Sequence, residues 1–264
     1  MIEQAEALGE PLDDPLLLFS VLYGLWVANF VAFDGQVMRE LAAQFLALAE
    51  KQKATAPLMI GHRLMGVSLL STGNMVEGRT HYNHALALYD PIEHRLLATR
   101  FGQDVLVATL SQRSLASWML GYPMAALADA EQAIRSAREI GETATLMYAL
   151  FWAANIHIVR GNYAKASTLV DELVSVADEA GAVQWSANGM IARGWILALT
   201  GRPSDTVQTI TSALISWRST GATYWVPLLL SYLARASAEL GQFDDAWRSI
   251  REATTTVETT KEVV

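Results

Sequence analysis

The sequence predicts an all-α protein, a right-handed α-solenoid of six helical hairpins with a period of about 40 residues. Three observations carry this prediction. Gly121, Gly161, Gly201 and Gly241 recur every 40 residues, and Gly141, Gly181 and Gly221 form a second series midway between them. A small residue stands seven places before the mid-hairpin glycine of each unit: Ala28, Gly66, Ser114, Ala154, Gly194 and Ala234. Segments almost free of charge alternate with segments that hold most of the acids and bases.

Each 20-residue interval between glycines reads as a helix and a tight turn. Glycine just past a helix end takes the left-handed conformation without a Cβ penalty. Pro123 and Pro203 follow two residues later, where proline suits the first turn of the next helix. Asn74, Thr143 and Asn162 are candidate N-caps. Earlier in the chain Gly35 and Gly73 occupy the mid-hairpin position, 38 residues apart, and the 48-residue step to Gly121 places an insertion of about eight residues within 89–104. The hairpins fall at 15–53, 57–90, 104–140, 143–180, 183–220 and 223–258, in one repeat domain spanning 1–264. Their first helices run 15–33, 57–72, 104–120, 143–160, 183–200 and 223–240, and their second helices 36–53, 75–90, 123–140, 163–180, 203–220 and 243–258. A small side chain at one fixed place lets the paired helix approach closely. A weaker register lies five residues after the glycine, where Gly78, Ala126, Ala166 and Ala246 fit and Glu40 and Thr206 do not. The uncharged first helices suit an inner layer, and the charged second helices suit an outer layer facing water.

Composition narrows the function. The 264 residues include 52% apolar and 17% charged side chains, no cysteine, and a net charge of −8 from 19 Lys and Arg against 27 Asp and Glu. This apolar content excludes disorder. The absence of cysteine excludes disulfides and Cys-ligated metal sites. Net acidity argues against nucleic acid as a partner. Glu3, Glu6, Glu10, Asp13 and Asp14 stand where a secretory signal needs positive charge. Residues 15–33 are 19 positions without a formal charge, but Ser20, Tyr23, Gly24 and Asn29 interrupt them, so a buried helix is expected and not a membrane span. A reducing cytoplasm is the expected location.

The small residue, the glycine seven later and the alanine five beyond resemble the tetratricopeptide repeat, with a unit of 40 in place of 34 residues. Residues 21–26 (VLYGLW), 62–66 (HRLMG), 87–91 (ALYDP) with His94 and Arg95, 102–104 (GQD), 120–123 (LGYP), 193–195 (RGW) and 217–222 (WRSTGA) carry a more specific likeness. They resemble the C-terminal tetratricopeptide-like region of large bacterial signalling proteins, in which a class III adenylate/guanylate cyclase domain and an AAA-type ATPase module precede the repeats. The resemblance implies a regulatory or scaffolding module. The chain has no phosphate loop and no G-x-G-x-x-G, so neither activity is expected from it. Residues 2–9 read as the tail of a second helix and 254–264 stop where a further hairpin could follow, which suggests a fragment whose uncapped ends form a homodimer.

Candidate chemistry is sparse. Glu77, His81 and His84 fall on one helical face, with His62 on the preceding helix, and this is either a weak metal-ligand pattern or an outer polar face. The pairs Asp13/Asp14, Asp178/Glu179 and Asp244/Asp245 are adjacent, so on a helix they diverge and form no acid/base dyad. No nucleophile elbow occurs. Trp152, Trp217 and Trp247 are expected in the core. Read by position, the concave wall holds Leu25, Asn29, Arg63, Val67, Ser111, Trp118, Tyr148, Phe151, Asn155, Asn188, Ile191, Trp195, Ser231 and Arg235. Such a mixture suits a peptide, a partner helix or a sister domain. Longer helices that close the superhelix would bury the same residues. The other reading is a sensor holding an acidic or aromatic small molecule among Arg63, Arg193, Trp195 and the 89–104 segment, whose Asp90, His94, Arg95, Arg100 and Asp104 form either a bracing salt-bridge cluster or a contact site. No enzyme activity and no cofactor are expected.

Overall fold

The computed structural model describes residues 16–260. Twelve long helices among these residues follow one another as hairpin pairs: α1 (Leu17–Val31) and α2 (Gly35–Gln52), α3 (Thr55–Ser71) and α4 (Met75–Ala87), then, after two short helices, α7 (Val105–Met119) and α8 (Pro123–Ile140). The remaining pairs are α9 (Thr143–Val159) and α10 (Tyr163–Glu179), α11 (Val183–Leu199) and α12 (Pro203–Ser219), and α13 (Val226–Glu239) and α14 (Phe243–Thr260). The described residues contain no strand.

The first helices α3, α7, α9, α11 and α13 touch their counterparts in successive hairpins, while each second helix lies between its own partner and the next first helix. This is the two-layer arrangement expected from the charge alternation. Helix α9 is buried on nearly every side, whereas α10 buries Ala166, Leu169, Val170, Leu173 and Ala177 along one stripe. Close approach is visible where the small-residue register predicts it. A Cβ on Gly66 would lie 2.6 Å from the ring of Tyr82, which is fully buried on α4, and one on Gly194 would lie 2.6 Å from Ile210 Cγ1 on α12. Thr206, which departs from the second register, is nonetheless fully buried, its hydroxyl donating to the Arg202 carbonyl at 2.8 Å.

The glycine ladder behaves as helix punctuation. Gly141 ends α8 at φ 73°, its amide donating to the Ala137 carbonyl. The first hairpin departs from the scheme. Gly35 is the first residue of α2 and is not left-handed; Phe33 takes positive φ (49°) in its place, and Asp34 caps α2 by accepting from the Val37 amide at 3.0 Å. Ala28 is exposed, so no helix approaches there. Lys53, at φ 52°, ends α2 without a glycine. Of the candidate caps, Asn162 accepts from Lys165, Asn74 occupies the cap position without a side-chain bond, and Thr143 lies inside α9 after the cap residue Glu142.

The insertion is ordered as two short helices, α5 (Pro91–His94) and α6 (Ala98–Phe101), joined by a 3-10 turn (Arg95–Leu97). Hydrogen bonds brace it more than salt bridges do. Asp90 caps α5, His94 Nδ1 accepts from the Asp90 amide at 2.9 Å, Tyr89 donates to Asp104 at 2.7 Å, and Asp104 caps α7. Trp152 and Trp217 are buried as expected. Trp247 is not: it is 59% exposed, because α14 turns that face away from α13. No described helix is long and apolar enough to cross a membrane. The expected helix tail at 2–9 and the acidic residues Glu3, Glu6, Glu10, Asp13 and Asp14 lie outside the described residues.

Candidate functional site: an aromatic cavity inside a closed ring

The superhelix comes round far enough for its first and last hairpins to meet. The Thr223 amide donates to the Val31 carbonyl at 3.0 Å, and the Thr223 hydroxyl donates to the Ala32 carbonyl at 2.8 Å. The Tyr224 ring stacks on Phe33 with centroids 5.5 Å apart and lies 4.9 Å from Phe30. The sequence register starts the sixth hairpin at 223, but Thr223, Tyr224 and Trp225 form a non-helical turn that docks on α1, and α13 begins only at Val226. Trp225 is left-handed at φ 67°, an uncommon conformation for a bulky residue. Its ring is surrounded by Phe151 (5.0 Å), Trp195 (5.5 Å), Trp152 (5.6 Å) and Trp217 (6.4 Å). Trp217 Nε1 donates to the Tyr224 carbonyl at 2.8 Å and holds the turn from behind.

Beside this closure lies a half-open cavity of about 300 Å3 on the concave side. Its walls are mainly aromatic, from Trp26 and Phe30 on α1, Tyr148, Phe151 and Trp152 on α9, Trp185 on α11, and Trp217, Tyr224 and Trp225. Among the lining residues Arg63 is the one formal charge. Arg63 is 4% exposed. Its Nη2 donates to the Tyr23 hydroxyl at 3.1 Å, which in turn donates to the Phe101 carbonyl at 2.6 Å, and its Nε has no partner. Arginine keeps its proton at any ordinary pH. An uncompensated buried guanidinium costs several kcal/mol, so Arg63 is a stored electrostatic demand. The Asn188 Oδ1, also lining the cavity and 5% exposed, lacks a donor. Gln112 donates to the Tyr148 hydroxyl at 2.7 Å. Burial raises the Tyr148 pKa, so this phenol stays neutral.

The residues expected on an open concave wall divide into four groups. Arg63, Val67, Tyr148, Phe151 and Asn188 are brought together around the cavity. Ser111, Asn155 and Trp195 are buried away from its lining; the Asn155 amide is spent on the Phe151 carbonyl. Asn29 bonds the Leu25 carbonyl on its own helix, and Trp118 is half-buried against the core. Arg193 pairs with Asp171 at 2.7 Å and Arg235 with Glu239 at 2.9 Å on the outside, so neither reaches a ligand inside. Sequence reasoning missed Tyr23, Gln184, Trp185, Tyr224 and Trp225. The cluster of Trp217, Tyr224 and Trp225 around Gly221 was the available signal.

His62, His81 and His84 do converge, with ring centroids 5.0–6.2 Å apart and a 2.9 Å contact between His62 Nδ1 and His81 Nδ1. Among the described residues no group of three His, Cys, Asp or Glu side chains is arranged to hold a metal ion.

The family model of anaphase-promoting complex subunit 5 matches residues 97–160 and 214–263, less than half of the chain. No curated protein sequence matches. Among solved structures, the chain is similar to a Rap protein complexed with competence and sporulation factor (TM-score 0.73, 15% identity, 95% of this chain and 66% of that one). It is similar to NprR in complex with its cognate peptide NprX (TM-score 0.65, 12% identity, 96% and 70%). It also resembles a tetratricopeptide repeat protein from Parabacteroides merdae (TM-score 0.52, 16% identity, 89% and 80%). The fold is therefore that of the tetratricopeptide-like helical-repeat proteins. The chain spans just under two thirds of the length of the Rap protein.

Proposed function

We propose that this chain is a non-catalytic helical-repeat module that receives a peptide or a segment of a partner protein on its concave side. The single observation behind this reading is the half-open aromatic cavity lined by Arg63 and Asn188, whose Nε and Oδ1 atoms are buried without partners. Most buried polar groups in native proteins are paired, and here two unpaired ones belong to residues lining one cavity. The two peptide or factor complexes among the similar folds support the same reading. Closure by Thr223 and Tyr224 adds a mechanism: a ligand that favours the closed ring shifts the relative position of the first and last hairpins, and so the curvature presented to neighbouring domains. The segments resembling cyclase–ATPase signalling proteins support a regulatory place in such a parent. Second, the cavity's modest volume, at the lower end of the ~300–1,000 Å3 of ligand pockets, favours a small-molecule sensor.

The test is selection of displayed random peptides on the purified chain, repeated on Asn188→Leu, which keeps the side-chain volume and removes the amide. The reading expects enriched peptides to share a motif and to bind the variant at least tenfold more weakly. Absence of enrichment, or equal binding to both proteins, contradicts it.

A further inference from the structure

The wall residue with most to gain from a ligand is Arg63. Several arginines elsewhere in this acid-rich chain pair with carboxylates: Arg113 with Asp129, Arg138 with Glu172, Arg193 with Asp171, Arg218 with Glu252. Arg63 is far more deeply buried than these, yet its side-chain partner is the neutral phenol of Tyr23. No Asp or Glu stands among the cavity's lining residues. The guanidinium fork matches a carboxylate in two parallel hydrogen bonds, and Nε is the atom it has to spare.

We propose that the ligand of this cavity is a monocarboxylate with a planar apolar body, its carboxylate bound by Arg63 and its body enclosed by the aromatic rings. The assignment rests on the reading that the concave side is a binding site, and it names the chemistry of what enters. One guanidinium with no opposing acid sets the ligand charge at minus one; a cation is repelled, and a dianion leaves one charge uncompensated in an apolar enclosure. Trp26, Phe151, Trp152, Trp185 and Trp225 offer ring faces and edges, which suit a flat body. Asn188 Oδ1 asks for a hydrogen-bond donor, so a ring N–H or an amide N–H on that body completes the match. Two sources present this chemistry: a small aromatic acid, and the free C-terminus of a peptide ending in an aromatic residue.

The experiment is isothermal titration of the intact chain with indole-3-propionate, its primary amide, the peptide Gly-Gly-Trp with a free C-terminus, and the same peptide amidated. At least one free acid is expected to bind ten or more times tighter than its amide. In Arg63→Met, whose folding is checked by urea denaturation, that preference disappears; in Arg63→Lys it is reduced and retained. Tight binding of indole-3-propionate alone points to the small-acid source, and preference for the peptide acid points to a C-terminus. Equal binding of acid and amide to the parent chain overturns the proposal without needing any variant to fold. So does undiminished acid preference in Arg63→Met, or no binding of either acid at concentrations up to about 5 mM. Displayed peptides that bind the chain with no dependence on Arg63 overturn this assignment and leave the concave-side reading standing.

Discussion

The Thr223 amide lies 3.0 Å from the Val31 carbonyl oxygen, joining the last hairpin to the first. This bond and its neighbour from the Thr223 hydroxyl to Ala32 turn an open solenoid into a ring. Thr223→Val keeps the shape and the backbone bond and removes the hydroxyl donor, so it should cost about 1 kcal/mol. Tyr224→Ala removes the ring that fills the space between Phe30 and Phe33 and should cost about 3 kcal/mol. Because each hairpin also packs on its neighbours, the loss should be local. Hydrogen exchange at residues 222–226 and 30–34 should accelerate far more than at α9. Uniform acceleration across the chain would contradict a local latch.

Gly66 and Gly194 hold the same register position but should respond differently to alanine. At Gly66 the added Cβ meets three atoms of the Tyr82 ring within 3.0 Å, and a fully buried aromatic ring has little room to yield. At Gly194 it meets one atom this close, Ile210 Cγ1 at 2.6 Å, on a side chain that is also fully buried and stiff at χ1. Overpacking costs about 1–3 kcal/mol and the gain in helix propensity returns about 1 kcal/mol. Urea titration should therefore find both variants destabilised, Gly66→Ala more than Gly194→Ala. A Gly66→Ala midpoint equal to the parent's would show that the helices are not in close contact there.

The histidine cluster makes stability depend on pH. Burial, followed by the charges of His81 and His84, lowers the His62 pKa from 6.5 to about 4, and burial also lowers that of His81. In the unfolded chain these rings take up protons near pH 6.5; in the folded chain His62 resists until about pH 4. Between those values the unfolded state binds more protons, so stability falls as pH drops through this window and is fully present above it. His62→Asn should flatten the change in melting temperature between about pH 7 and about pH 4.5. An unchanged profile would remove His62 from the account. The rings are part-exposed, so the effect is modest.

Much of the architecture was legible because helix ends need a left-handed residue at a regular place, and glycine supplies it wherever the interval is uniform. The reading failed where another residue took that role, as Phe33 did for Gly35 and Lys53 did at the end of α2. Five residues of the cavity wall, Arg63, Val67, Tyr148, Phe151 and Asn188, are among those that the register assigns to the concave side. Closure was not legible, because it depends on the accumulated rotation of successive hairpins and on one turn, 223–225, that the register assigned to a helix. For the same reason Tyr224 and Trp225 were missed, while Arg193 and Arg235 pair with Asp171 and Glu239 and are not among the residues lining the cavity.

The outer face of α14 leaves Phe243 (64% exposed), Trp247 (59%) and Ile250 (41%) in solvent as one apolar stripe. A stripe of this kind marks a surface that associates. Light scattering should detect self-association at high protein concentration, and Trp247→Lys should suppress it. A monomer at every concentration would count against association through this end.

The central claim is that the hairpins close on themselves around the cavity. The chain has no cysteine, so spin labels on Gln36→Cys and Ser219→Cys report the separation of the first hairpin from the end of α12 without background. Both positions are exposed. Pulsed electron–electron resonance should give one narrow distance distribution, broadened and lengthened by Tyr224→Ala. A broad or bimodal distribution in the otherwise unaltered chain would mean an open superhelix, with no such cavity for Arg63 to serve.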